Sequence, residues 1–182
     1  FLRGAADYFR HSPETLVDGV GSELMEGDHP SKDIGYLTQL LGHRAEQEIL
    51  EAAKGGSPLF LSLHFNAPHW PWEGPEDKAV SDSLKGLMHY DGGNLAVYRS
   101  MLLSMDKAIG GVLKAIDRAG TTRDTIVIFT SDNGAEFLKP WDGWSGPWRG
   151  QYFTALEGGI RVPFLLRWPG RVPAGRVSDE IV

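Results

Sequence analysis

An α/β fold with a parallel or mixed sheet is what the order of elements in this chain predicts. Three observations carry that expectation. Short apolar runs bounded by Gly, Pro, Asn and Asp recur three times, as buried strands do. Two long segments place their apolar residues at helical spacing instead. Strand and helix alternate along the chain, so that a crossover separates the first two strands.

Residues 1–33 read mostly as loop, rich in Gly, Asp, Glu and His, with Pro13 and Pro30 as breakers. A helix follows from about Ile34 to Lys54. Leu37, Leu40, Leu41, Ala45, Ile49 and Ala52 form its stripe, and Gly55-Gly56 ends it. Pro58–Phe65, "PLFLSLHF", reads as the first buried strand. A loop with Pro68, Pro71 and Pro75 comes next. The longest helix spans roughly Asn94 to Ala119, with Leu95, Tyr98, Met101, Met105, Ile109, Val112 and Ile116 on one face, and Gly120 closes it. "TIVIFTSD", Thr125–Asp132, is the second buried strand and Val162–Trp168 the third. Gly134 to Pro163 is a long irregular segment. A loop of that length is usually functional or disordered, and three Trp argue against disorder.

The chain's 182 residues are enough for one domain with its own core. Its 41% apolar and 23% charged residues are those of a globular protein. A net charge of −6 argues against a nucleic-acid surface, which needs a concentrated basic face. No stretch approaches the ~20 apolar residues of a membrane span. The absence of cysteine removes disulfides, thiolate metal sites and Cys nucleophiles from these residues. "FLRGAADYFR" lacks a signal-peptide pattern and does not begin with Met, so a late start or a piece of a longer protein is expected. Compartment and oligomeric state are left open.

"IFTSDNGAEF" poses the question of chemistry. Asn133-Gly134 alone is a common turn pair, but a turn does not require Asp132 beside it. Both side chains offer oxygen, which suits a hard cation such as Ca²⁺ or Mg²⁺ at the carboxyl end of a strand. His69 lies in "NAPHWPW", a loop stiffened by proline, though a loop histidine by itself is most often merely solvated. In "PWRGQYFTALEGGIRVP" the glycines allow close backbone approach. There Glu157 and Arg161 read as a structural pair. Asp106, on the long helix, reads as a structural carboxylate. Trp141, Trp144 and Trp148 suit either packing or a carbohydrate or aryl platform.

Taken in order, "PLFLSLHFNAPHWPW", "YRSMLLSMDKAIGGVLKAI", "TIVIFTSDNGAE" and "GPWRGQYFTALEGGIRVPFLLRWPG" resemble the carboxyl-side half of the catalytic domain of type I sulfatases. The resemblance covers nearly all of the chain from about Gly35. It implies an alkaline-phosphatase-like sandwich around a large, mostly parallel mixed sheet, with residues 1–182 as part of that catalytic domain. It implies that Asp132 and Asn133 are ligands of Ca²⁺, with Mg²⁺ as the alternative. It implies that His69 contacts the sulfate and assists the leaving oxygen. Many relatives carry lysine in a block "RGGKGT", where this chain has Tyr152, so substrate anchoring is expected to fall to Tyr152 or another cation. The family's nucleophile is a formylglycine made from Cys or Ser in a C/S-x-P-x-R motif. That motif, two further acidic metal ligands and a Lys/His pair are read as absent from this chain and are expected upstream.

The resemblance thus implies a sulfuric ester hydrolase acting on a small aryl or sugar sulfate, with no nucleic-acid partner. The rivals are a phosphate or phosphonate ester hydrolase of the same superfamily and a non-catalytic binding or structural fragment.

Overall fold

The computed structural model describes residues 7–11, 24–83, 93–138 and 141–180. They fall into two compact units, Phe1–Gly120 and Thr121–Val182. The first holds a small antiparallel hairpin of β1 (Met25–Glu26) and β2 (His29–Pro30), then α1 (Leu37–Gly55), α2 (Lys78–Ser83) and α3 (Leu95–Arg118). The second holds β3 (Val127–Thr130), β4 (Phe137–Leu138), β5 (Trp141–Asp142), one helical turn α4 (Glu157–Ile160) and β6 (Phe164–Arg167). β4 and β5 form a hairpin, and β3 pairs antiparallel with β6, Val127 opposite Arg167 and Thr130 opposite Phe164.

Both expected helices form within a few residues of their predicted bounds. α1 starts at Leu37 rather than Ile34, whose side chain is exposed, and Gly56 ends it at φ 65°, a left-handed conformation that favours glycine. α3 starts where Asn94 caps it: the side-chain oxygen accepts the N–H groups of Ala96 and Val97 at 2.8 and 3.1 Å. The helices then pack closely. A Cβ on Gly42 of α1 would lie 2.8 Å from the Cβ of Ala108 in α3, so glycine sets their spacing. Leu37, Ala45 and Ile49 of α1 and Met101, Ala115 and Ile116 of α3 are buried in this unit.

The strands differ more from expectation. Pro58–Phe65 forms no strand, and Leu59, Phe60 and Leu61 are exposed. β3 is only half-buried and β6 is mostly exposed. All strand pairs among the described residues are antiparallel and two-stranded. An apolar run states that a segment is fit to be covered, whereas a ladder exists only where a partner strand lies alongside.

The predicted loop over residues 1–33 lies in part outside the described residues. What is described is not all loose. Asp7 Oδ1 accepts the N–H groups of Phe9 and Arg10 at 2.9 and 2.6 Å, shaping a turn that buries Tyr8 completely. The Tyr8 ring stacks on Tyr36 with centroids 5.3 Å apart. Beneath it sits Glu73, buried, whose Oε2 accepts the Tyr8 N–H at 3.1 Å.

Burial, reinforced by the nearby Asp7 charge, pushes the Glu73 carboxyl from its ordinary 4.5 up to about 7, against weaker opposing hydrogen bonds and Arg10. Between those values the folded protein holds a proton that the unfolded chain releases. The resulting stabilisation is complete below about pH 4.5 and disappears as the pH rises through about 7. Relative to Glu73→Gln, the wild type should therefore gain urea resistance as pH falls from about 8 to about 5. Parallel pH profiles for the two proteins would rule Glu73 out as the source.

Candidate functional site

Asp132 and Asn133 follow β3 after the single residue Ser131, so backbone pairing of that strand delivers them to its carboxyl end. Asp132 is exposed, and its Oδ1 lies 3.4 Å from the Ser131 hydroxyl, a long contact that leaves the carboxylate open to a stronger partner. Asn133 is half-buried and donates from Nδ2 to the Gly134 carbonyl at 3.1 Å, while its Oδ1 is the acceptor of the amide. These donors fit a hard cation in type. They do not fill its shell: Ca²⁺ takes about 6–8 oxygens. Among the described residues no cluster of three or more His, Asp or Glu exists to complete it.

The glycine-rich segment packs directly on this loop. Gly134 N–H donates to Gly159 O at 2.9 Å, Tyr152 N–H to Ala135 O at 3.0 Å, and Gly158 N–H to Arg149 O at 2.8 Å. A Cβ on Gly134 would lie 1.9 Å from Gly158 O, inside any allowed contact. Backbone touches backbone here because there are no side chains to hold it off. The structure therefore ties the backbone of Tyr152 to Ala135, in the loop that carries Asp132 and Asn133. The Tyr152 side chain is half-exposed, with its ring 4.0 Å from that of Phe153.

Gly134→Ala should consequently lower the melting temperature, with an overpacking cost on the order of 1–3 kcal/mol. Gly110→Ala provides the contrast. Nothing lies within 4 Å of a Cβ on that α3 residue, so helix propensity should raise stability by about 0.5–1 kcal/mol. Comparable stabilities for the two variants would contradict the packing described here.

A groove of about 540 Å³ opens beside this loop, lined by Asn133, Trp144, Ser145, Trp148 and Arg161 among others. The expected Glu157–Arg161 ion pair forms, and the same Arg161 guanidinium lies 3.8 Å over the Trp148 ring. Trp144 is 83% exposed, so packing does not account for it, whereas the Trp141 side chain lies outside the described residues. Asp106 is exposed on α3.

His69 belongs to the first unit. Its N–H donates to Asn66 O at 2.7 Å, closing a turn, and Tyr8 Oη donates to its carbonyl at 3.0 Å. Its ring Nδ1 lies 2.9 Å from Trp70 O, a carbonyl that can only accept, so Nδ1 carries a proton. That assignment makes Nε2 the nitrogen on which any second proton resides. Trp70 and Trp72, both buried, stack with ring centroids 4.5 Å apart.

Ser145-Gly146-Pro147-Trp148-Arg149 spells the C/S-x-P-x-R pattern, so the pattern is not missing from the chain in letters. Ser145 Oγ donates to Gly158 O at 3.1 Å, giving this serine a structural use in tying the loop to α4.

A family model for Sulfatase matches residues 6–182. Arylsulfatase J of Mus musculus is 31% identical over 184 residues, which cover all of this chain and 29% of that protein. N-acetylgalactosamine-6-sulfatase of Mus musculus is 33% identical over 147 residues, covering 80% of this chain and 26% of that protein. Among solved structures, Ps i-CgsB matches with a TM-score of 0.75 at 26% identity, covering 96% of this chain and 40% of that one. The chain thus spans well under half the length of each of these relatives.

Proposed function

We propose, because this chain belongs to the sulfatase family, that the whole protein is a sulfuric ester hydrolase acting on aryl or sugar sulfates. One observation carries the reading. The two segments with the most specific family resemblance, Asp132–Ala135 and Arg149–Gly159, are bonded to each other backbone to backbone. Asp132 and Asn133 would hold a Ca²⁺ ion together with residues outside this chain. When bound, that ion supplies positive charge against sulfate oxygens. His69 would protonate the departing oxygen from Nε2, and Tyr152 would line the sulfate site. The formylglycine nucleophile would lie upstream. The finer architecture belongs to the same proposal: the exposed apolar side chains of Phe60, Ile128 and Leu165 support further strands completing an alkaline-phosphatase-like sandwich.

For the substrate, the exposed Trp144 beside Arg161 supports a ring stacked near a cation. Ps i-CgsB has also been solved in complex with k-i-k-neocarrahexaose, which supports a sugar sulfate over a simple aryl sulfate.

The test is turnover by the full-length protein. Nitrophenyl sulfate should be hydrolysed in the presence of Ca²⁺, and nitrophenyl phosphate far more slowly. Preference for the phosphate ester would favour the phosphatase rival. The isolated 182-residue chain should release no nitrophenol, since loss of a nucleophile costs many orders of magnitude in rate. Mass spectrometry of the peptide containing Ser145 should show an unmodified serine. An aldehyde there, two hydrogens lighter, would move the nucleophile onto Ser145 and overturn its upstream placement.

A further inference from the structure

We propose that Tyr8 is a positioning residue for His69, an inference that rests on the catalytic reading of His69 above. Tyr8 has no exposed surface, and each of its polar groups is engaged. Its carbonyl accepts the Leu37 N–H at the start of α1 at 2.8 Å. Its own N–H donates to Glu73 Oε2 at 3.1 Å, and its hydroxyl donates to the His69 carbonyl at 3.0 Å. One side chain and its backbone therefore grip both ends of the segment from His69 to Glu73. Tyr36, stacked on Tyr8, grips the same segment again by donating its hydroxyl to the Glu73 carbonyl at 2.7 Å.

The consequence for the imidazole is geometric. Holding the His69 carbonyl fixes the plane of the peptide that joins it to Trp70. The ring Nδ1 is bonded to the Trp70 carbonyl, so the ring orientation follows that segment of backbone. The direction of Nε2 is then set by a tyrosine 61 residues away in sequence. A proton donor misplaced by a fraction of an ångström loses much of its effect, which gives the hydroxyl a kinetic role beyond packing.

A double-mutant cycle in the full-length protein tests this. Tyr8→Phe keeps the ring and its stacking and removes only the hydroxyl. It should lower kcat for alkyl or sugar sulfates by about 3- to 30-fold, a range typical of positioning contacts. KM should change little, and the loss on nitrophenyl sulfate should be smaller. In a His69→Ala background, Tyr8→Phe should have no further effect on kcat. Equal losses on both leaving groups, or the same loss with and without His69, would make Tyr8 merely structural and overturn the proposal. No loss from Tyr8→Phe while His69→Ala is slow would also overturn it. Full activity of His69→Ala itself would instead remove the catalytic reading, and this inference with it. Should Tyr8→Phe fail to fold, Tyr36→Phe loosens the other end of the segment and must give the same leaving-group signature.

Discussion

Asp132→Ala in the full-length protein is expected to lose bound Ca²⁺ and sulfate-ester turnover together. Asp132 would be the charged ligand of the proposed site, two residues past the end of β3, and an ionised carboxylate outweighs an amide oxygen for a hard cation. Its oxygens are exposed and only weakly engaged by Ser131, so removing them disturbs few internal contacts. The variant should therefore stay folded while its Ca²⁺ affinity falls on the order of 10²-fold or more. Asn133→Ala should weaken both properties less, because its oxygen carries no net charge. Calorimetric titration with Ca²⁺ decides the matter. Wild-type affinity in Asp132→Ala would return "SDNG" to the status of a simple turn.

His69→Ala should produce the second large effect, and its size should depend on the leaving group. In the proposed role the proton would leave from Nε2, because Nδ1 donates to Trp70 O. A nitrophenolate departs with little help, whereas an alkoxide or sugar oxygen needs protonation. We expect kcat/KM to fall by roughly 10²–10⁴-fold for alkyl or sugar sulfates, the usual range for a general acid. The loss for nitrophenyl sulfate should be visibly smaller. A uniform loss would assign His69 to sulfate binding alone, and an unaffected variant would make it an ordinary loop histidine.

Local features of the fold were legible because they depend on neighbours in sequence. The stripes at helical spacing marked α1 and α3, and Gly55-Gly56 and Gly120 marked where they end. The Glu157–Arg161 pair was legible for the same reason, one turn apart on a short helix. The glycines at 134, 150, 158 and 159 signalled close approach without saying to what. The structure supplies the answer: loop backbone against loop backbone. Tyr8 and Glu73 gave no such signal. A polar, glycine-rich beginning resembles loop whether or not a distant segment covers it, and the sole local hint was Asp7 at the head of a turn.

By itself, then, the sequence determined the helices, the position of Asp132 and Asn133 after an apolar run, and the family to which the chain belongs. Those properties follow from side-chain period, turn chemistry and ordered blocks of residues, all readable along one dimension. Only the tertiary structure decided that Pro58–Phe65 pairs with no strand among the described residues, that β3 pairs antiparallel with β6, and that Tyr8 holds the His69 carbonyl. Each depends on which groups meet across a large separation in sequence. A strand needs a partner ladder and a buried carboxylate needs a distant donor, and neither is encoded in the spacing of adjacent residues.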